Sequence, residues 1–152
     1  MTRRLLWTVL AATLACVGAV TPVRAAAGAV RHGSALLALR YKGRPYVWGA
    51  AGPYAFDCSG LVRTVYRRHG LALPRTADAM YHSAGLRRVS RAQVRRDDLV
   101  FWSAGGYVYH VGIYLGGGRV VHTGDYRGVR IAPLWGRPLF KRPRALSPGG
   151  TR

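Results

Sequence analysis

The chain has 152 residues, 49% of them hydrophobic, with 20 glycines, 8 prolines and a mean hydropathy near zero. That composition argues against a disordered chain and for one compact globular domain. Twenty-four Lys and Arg face five acids, all of them Asp, for a formal charge of +19. Such a surface attracts polyanions through long-range, salt-sensitive fields, and charge alone does not choose between nucleic acid, anionic lipid and anionic wall polymers.

The first residues read as a secretory signal peptide. "MTRR" is a short basic start, "LLWTVLAATLACVGAV" is mostly apolar over 16 residues, and "TPVRA" places Val23 and Ala25 at the small-residue spacing of a cleavage site. The apolar stretch is shorter than the roughly 20 residues a spanning helix needs, and Pro22 follows it, so no membrane span is expected after cleavage. A lipoprotein would use Cys16, but Thr13 stands where an aliphatic residue is usual. The expected organisation is a signal peptide over 1–25, a domain over 26–146 and a flexible tail over 147–152. Cleavage after Ala25 removes Arg3, Arg4, Arg24 and Cys16, leaves the domain at +16, and makes Cys58 its one cysteine. A leftover cysteine in an oxidising compartment is a reactive thiol or an intermolecular link.

"GSALLALRYKG" has helical spacing through Leu36, Leu37 and Arg40 and ends near Gly43. "RPYVWGAAGPYAF" is punctuated as a loop. From Cys58 to His69, Leu61, Val62, Val65, Tyr66 and His69 fall on one stripe, and Gly70 ends that helix. "PRTADAMYHSAG" predicts a further helix capped by Thr76 and closed by Gly85. "SRAQVRRDD" is a turn or short helix. "LVFW", "HVGIYL", "RVVHT" and "GVRIA" are short runs broken by glycines and predict antiparallel strands. "PLFKRPRAL" adds an edge strand. Helices followed by a meander predict an α+β domain.

Asp57 is a good N-cap, which puts Cys58 first in its helix and its sulfur near the positive end of the dipole. That placement favours the thiolate, the nucleophilic form. The neighbouring Asp57 carboxylate opposes it, so a histidine is needed to supply positive charge. His32 lies near the new N-terminus, His69 is too far along the helix, and His82 sits on a polar helix. His110, opening "HVGIYL", and His122, ending "RVVH", remain. If Gly116–Gly118 form a three-residue loop, Leu115 opposes Arg119 and Gly112 opposes His122. The two histidines then share a face as diagonal neighbours, roughly 7–8 Å apart at Cα. A two-residue loop would put them on opposite faces. Gly112 leaves room for the imidazoles, and the same face could receive the tip of the Cys58 helix. Other readings stand beside this one. A lone cysteine is commonly a buried small hydrophobe and a strand histidine commonly structural. Cys58, His110 and His122 could also ligate zinc, although no close C-x-x-C or H-x-x-x-H spacing supports a metal.

"RPYVWGAAGPYAFDCSGLV", "LPRTADAM", "DDLVFW" and "HVGIYLGGGRVVHT", in that order over Tyr41 to Pro133, resemble the NlpC family of bacterial cell-wall cysteine peptidases. The resemblance implies a reduced papain-like fold, with N-terminal helices carrying the nucleophile packed on an antiparallel sheet carrying the histidine. It implies Cys58 as nucleophile, His110 as general base in an imidazolium–thiolate pair, and His122 as the group orienting His110. Tyr46 would line the site and assist an oxyanion hole. Asp57 and Ser59 would bind substrate, in some members through the free amine of a trimmed stem peptide. The implied substrate is a peptidoglycan stem peptide, commonly cut between D-glutamate and diaminopimelate or lysine, with no metal and no cofactor. Two departures stand out: "RRDDL" replaces the family's Pro-Gly-Asp turn, and "GA" follows "YVW" in place of "GG". The expected protein is a monomer secreted to the cell wall, drawn to anionic wall polymers and not to nucleic acid. Its rivals are a catalytically silent wall-binding module and a related thiol amidase or acyltransferase.

Overall fold

The computed structural model describes residues 33–144. The signal peptide over 1–25, His32 and the tail over 147–152 lie outside the described residues, as do both outer limits of the expected 26–146 domain.

Three helices precede or flank a six-stranded antiparallel sheet. They are α1 (Ser34–Leu39), α2 (Cys58–Arg68) and α3 (Ala77–His82). The strands are β1 (Leu86–Val89), β2 (Leu99–Ala104), β3 (Tyr107–Gly116), β4 (Arg119–His122), β5 (Arg130–Pro133) and β6 (Leu139–Pro143), in the spatial order β1-β6-β2-β3-β4-β5. A single 3₁₀ turn over Arg91–Gln93 occupies the segment expected as a turn or short helix. The α+β arrangement agrees with the sequence expectation. No helix among the described residues is long and apolar enough to cross a membrane.

The sheet is buried on both faces. Leu99, Phe101, Val111, Ile113 and Val121 point into the main core with Leu61, Val62, Val65 and Tyr66 of α2. Val100, Trp102, Val120 and Phe140 alternate to the other face and form a smaller cluster. The α2 stripe is as expected down to Tyr66, with His69 and Gly70 ending the helix; Gly70 has φ of 75°.

Four expectations need correction. α1 stops at Leu39, four residues before Gly43, and its buried residues are Ser34, Ala35 and Ala38; Leu36 is 52% exposed. Small residues face α2 and β3 there because the helix approaches closely. α3 stops at His82, where the Ser83 hydroxyl donates to the Met80 carbonyl, so Gly85 does not close it. β3 begins at Tyr107, three residues before His110. β6 is not an edge. It lies between β2 and β1, because "LRRV", read as no element in the sequence, pairs with it from Leu86↔Pro143 to Val89↔Phe140.

The departure at "RRDDL" has a structural use. Asp97 has a φ of 72°, which an Asp tolerates better than most side chains. Its carboxylate accepts from the backbone N–H groups of Gly33 (3.0 Å) and Ala35 (2.7 Å), so it caps α1 from 62 residues away. The Asp98 carboxylate takes the Arg142 guanidinium at 2.6 and 2.7 Å, with side chains 2% and 10% exposed. Asp97→Ala should cost about 2–3 kcal/mol, because two charge-assisted bonds to orphan helix donors are lost. A thermal midpoint lowered by about 10 °C is the expected reading. Asp97→Asn, which keeps one acceptor and tolerates positive φ, should recover about half of the loss.

Candidate active site

α2 begins where the sequence predicts. The Asp57 backbone is extended and its carboxylate accepts from Gly60 N–H at 2.6 Å, leaving Cys58 as the first helical residue. The loop before it is held by Asp57 N–H to Ala50 O (2.8 Å), Phe56 N–H to Pro45 O (3.1 Å) and Val47 N–H to Phe56 O (3.1 Å). Gly60 is where α2 meets this loop. A Cβ there would fall 2.1 Å from the Ala50 carbonyl oxygen.

Asp57 is the hub of the helix tip. Beyond Gly60 it accepts from Gly49 N–H (3.0 Å), the Ser59 hydroxyl (3.2 Å) and both terminal nitrogens of Arg75. Arg75 also donates to the Ser59 oxygen at 2.9 Å. Burial would raise the Asp57 carboxyl, but Arg75, Gly60 and Ser59 together hold it below its ordinary value. The substrate-binding expectation for Asp57 and Ser59 thus meets a complication: Arg75 already engages both. Arg75 lies in the quoted "LPRTADAM", but spacing alone gave no reason to bring it to the helix tip.

His110 and His122 meet. His110 Nε2 lies 3.0 Å from His122 Nδ1, and the rings are edge-on with centroids 5.1 Å apart. The shared face is as expected, but the turn that produces it is not. Gly116 pairs with Arg119, leaving a two-residue turn at Gly117–Gly118 with φ of 59° and 68°, while Ile113 pairs with Val121. A register shift between Tyr114 and Gly116 inserts the extra residue that restores the parity. Gly112 is needed: a Cβ on it would lie 2.6 Å from a Val120 methyl and 3.1 Å from His122 Cβ.

The expectation is that the histidine face could receive the tip of the Cys58 helix; the tip lines a cavity with both histidines, while the body of α2 lies on the opposite face. Alternation puts His110 beside Trp102, with ring centroids 5.4 Å apart, whereas α2 covers the face of Val111 and Ile113. The Val111 backbone, next to His110, favours the thiolate of Cys58 at the tip. The β2–β3 register shifts here, between Trp102 and Ser103. One cavity of about 650 Å³ is consequently lined by Tyr46, Cys58, His110 and His122 together. Three further walls carry no local mark in the sequence. Trp135 stacks on Trp102 at 3.9 Å and lies 5.0 Å from the His122 ring. A Cβ at Gly124 would come within 3.0 Å of His110 Cε1, so this glycine lets the ring sit where it does. Arg130 of β5 pairs in register with His122. A second cavity of about 240 Å³ also reaches Cys58 and shares Trp48 and Tyr109 with the first, with Asp57, Ser59, Arg75 and Tyr107 among its walls.

Electrostatics depart from a resting imidazolium–thiolate pair. Burial pushes the Cys58 thiol up, the Val111 hydrogen bond pulls it down, and Asp57 raises it again; the net shift is upward. Burial lowers His110 to about 4, helped by Arg130. Burial, then His110 and Arg130, lower His122 to about 3. Burial raises the Tyr46 phenol, with smaller contributions from Cys58 and Asp57. Both shifts favour the neutral thiol and the neutral imidazole. Of the other histidines, His82 is largely exposed and bonds to Asp78 O, and His69 is the α2 C-cap. Among the described residues no group of three His, Cys, Asp or Glu is placed to hold a metal.

A helix with a cysteine at its tip, packed on an antiparallel sheet that bears histidines, is the arrangement of a reduced papain-like α+β fold. Residues 43–143 match the NlpC/P60 family, and the chain belongs to that family. It is 42% identical over 106 residues to a Listeria innocua protein named "Probable endopeptidase p60", covering 67% of this chain and 22% of that one. It is 40% identical over 101 residues to the bifunctional muramidase/DL-endopeptidase CwlT of Bacillus subtilis, covering 64% and 30%. The chain therefore spans less than a third of the length of these relatives. Among solved structures, the NlpC/p60 domain of the peptidoglycan hydrolase SagA superposes with a TM-score of 0.62 at 35% identity, covering 72% and 96%. RipD of Mycobacterium tuberculosis, a non-catalytic NlpC/p60 domain adapted to peptidoglycan binding, gives 0.64 at 29% identity, covering 74% and 96%.

Proposed function

We propose that the chain is a secreted cysteine endopeptidase that hydrolyses peptidoglycan stem peptides, between D-glutamate and the residue that follows it. The observation that carries this reading is the one cavity that Cys58, His110 and His122 line together, with His110 Nε2 3.0 Å from His122 Nδ1. Relatives named as endopeptidases supply the substrate class. Residues 1–25 act as the export signal and the domain from 26 to 146 as the catalytic unit.

His110 acts as general base. For Nδ1 to accept the thiol proton, His110 Nε2–H donates to His122 Nδ1, and His122 holds its own proton on Nε2. His122 is a positioning residue: it selects the tautomer and stops the ring from rotating. As Cys58 Sγ attacks the peptide carbonyl, its proton passes to His110, and burial no longer opposes charge because the two charges form together. Asp57 consumes the Gly60 N–H, so the Cys58 N–H at the tip is left for the developing oxyanion, with Tyr46 beside it. Such a donor is worth about 3–4 kcal/mol in comparable sites. His110 then protonates the leaving amine, and water hydrolyses the thioester. The Arg75–Asp57–Ser59 network holds the helix tip rigid and closes one end of the acyl side. The domain's positive charge draws it to anionic wall polymers without choosing the bond cut.

The rival favoured by a specific observation is a silent binding module, since RipD shows that this fold can lack catalysis. Purified peptidoglycan distinguishes the two. The wild-type chain should release new amino groups from the third stem residue and Cys58→Ala should release none. Equal sedimentation of both proteins with the wall, without new amines, would establish the binder.

The pH dependence follows from His110. Only the neutral imidazole accepts the thiol proton, so kcat/KM rises as pH rises through the His110 value of about 4. The acid limb should therefore lie well below the ordinary histidine value near 6.5, with most activity kept at pH 5.5. An acid limb near 6.5 would contradict the buried, neutral pair.

A further inference from the structure

The larger cavity ends in a charge cluster that the mechanism does not use. Asp125 accepts from Arg127 through Nη2 (2.7 Å) and the backbone N–H (3.0 Å), and from Arg130 through two nitrogens at 2.9 and 3.0 Å. All three residues line the cavity, and Asp125 is the one acid among its lining residues. Two guanidiniums on one carboxylate leave one net positive charge. Each guanidinium also keeps donors that Asp125 does not use, since Arg carries five.

The chemistry decides which part of a substrate meets this charge. His110 gives its proton to the leaving amine, so the leaving residue lies on the His110 side of Cys58. That side is this cavity; the smaller cavity, which His110 does not line, receives the acyl side. Resting on the endopeptidase reading, we propose that Arg127 and Arg130 select stem peptides whose leaving residue carries a side-chain carboxylate, diaminopimelate in preference to lysine. A lysine side chain brings an ammonium to a site that is already net positive. Diaminopimelate carries the same ammonium but adds beside it a carboxylate, which cancels that charge and which an arginine fork binds in a planar, bidentate manner. The D-glutamate carboxylate is common to both peptides and does not discriminate.

Binding tests this separately from turnover. The Cys58→Ala chain is titrated calorimetrically with three tripeptides, L-Ala-γ-D-Glu followed by diaminopimelate, side-chain-amidated diaminopimelate or lysine. The acid form should bind about tenfold or more tightly than either other peptide, and the advantage should shrink as salt is raised. Adding Arg127→Gln or Arg130→Gln should bring the ratio toward one. Equal affinities, tighter binding of lysine, or a ratio that survives both substitutions would overturn the selection. Cleavage of the same peptides by the wild-type chain reads the endopeptidase reaction itself: its absence beside selective binding sinks the activity and leaves the selection standing.

Discussion

His110→Ala is expected to lower kcat/KM for stem-peptide hydrolysis by about 10²- to 10⁴-fold, the range spanned by a lost general base. The reason lies in the two opposing shifts at the site. Burial raises the Cys58 thiol, so without a proton acceptor beside it the sulfur stays protonated and weakly nucleophilic at pH 7. His110 is one of the two imidazoles that share a cavity with it, and the one to which the mechanism assigns the proton. The fold should survive, because α2 packs on the sheet through the main core, whereas the His110 ring lies by Trp102 and Trp135 on the other face. An unchanged thermal midpoint with collapsed activity is therefore the expected signature. His122→Ala should cost less, and its effect should fall on kcat, since His122 meets His110 and acts through it. An activity loss matched by unfolding would instead make His110 a structural residue.

Gly60→Ala should be the most damaging single methyl. The added Cβ would sit 2.1 Å from the Ala50 carbonyl oxygen, which is backbone and cannot rotate away. The same carbonyl accepts from Asp57 N–H, and the next one, Ala51 O, accepts from the Thr64 hydroxyl. Moving the loop to relieve the clash thus moves the cap, and moving the helix displaces the nucleophile. Overpacking of this kind costs about 3 kcal/mol, and a thermal midpoint more than about 10 °C lower is expected. Activity should fall by about 10²-fold even where the protein remains folded, because a displacement of about 1 Å is enough. Gly85→Ala is the control: a Cβ there meets nothing within 4 Å, and both readings should stay near wild type. Circular dichroism melts and peptide hydrolysis measured on the same samples check the pair.

The parts of the molecule legible in the sequence were those set by local pattern. Asp57 as N-cap, the α2 stripe and Thr76 as the α3 cap follow from helical spacing and side-chain chemistry. The shared face of His110 and His122 follows from strand parity, although the expected three-residue loop is a two-residue turn compensated by a bulge. What spacing could not supply were long-range closures. "LRRV" carries two arginines and reads as polar, yet it is a strand because β6 offers it a partner. Asp97 looked like a disturbed turn, and its use as the α1 cap depends on a helix 62 residues earlier. Arg75 reaches the site from before α3, and Gly124, Arg130 and Trp135 from the stretch in and around β5, and no local periodicity marks any of them. Burial of the pair is likewise a property of the assembled cavity: a helix dipole is visible in sequence, whereas the burial that raises the Cys58 thiol and lowers His110 is not.

The most direct test of the Cys58–His110 pairing is the pH dependence of Cys58 alkylation by iodoacetamide, in the wild-type chain and in His110→Ala. The wild-type rate should rise through about pH 4 and stay high at neutrality, whereas the variant should remain slow until the pH passes the ordinary thiol range. Superimposable profiles would mean that the imidazole takes no proton from the sulfur.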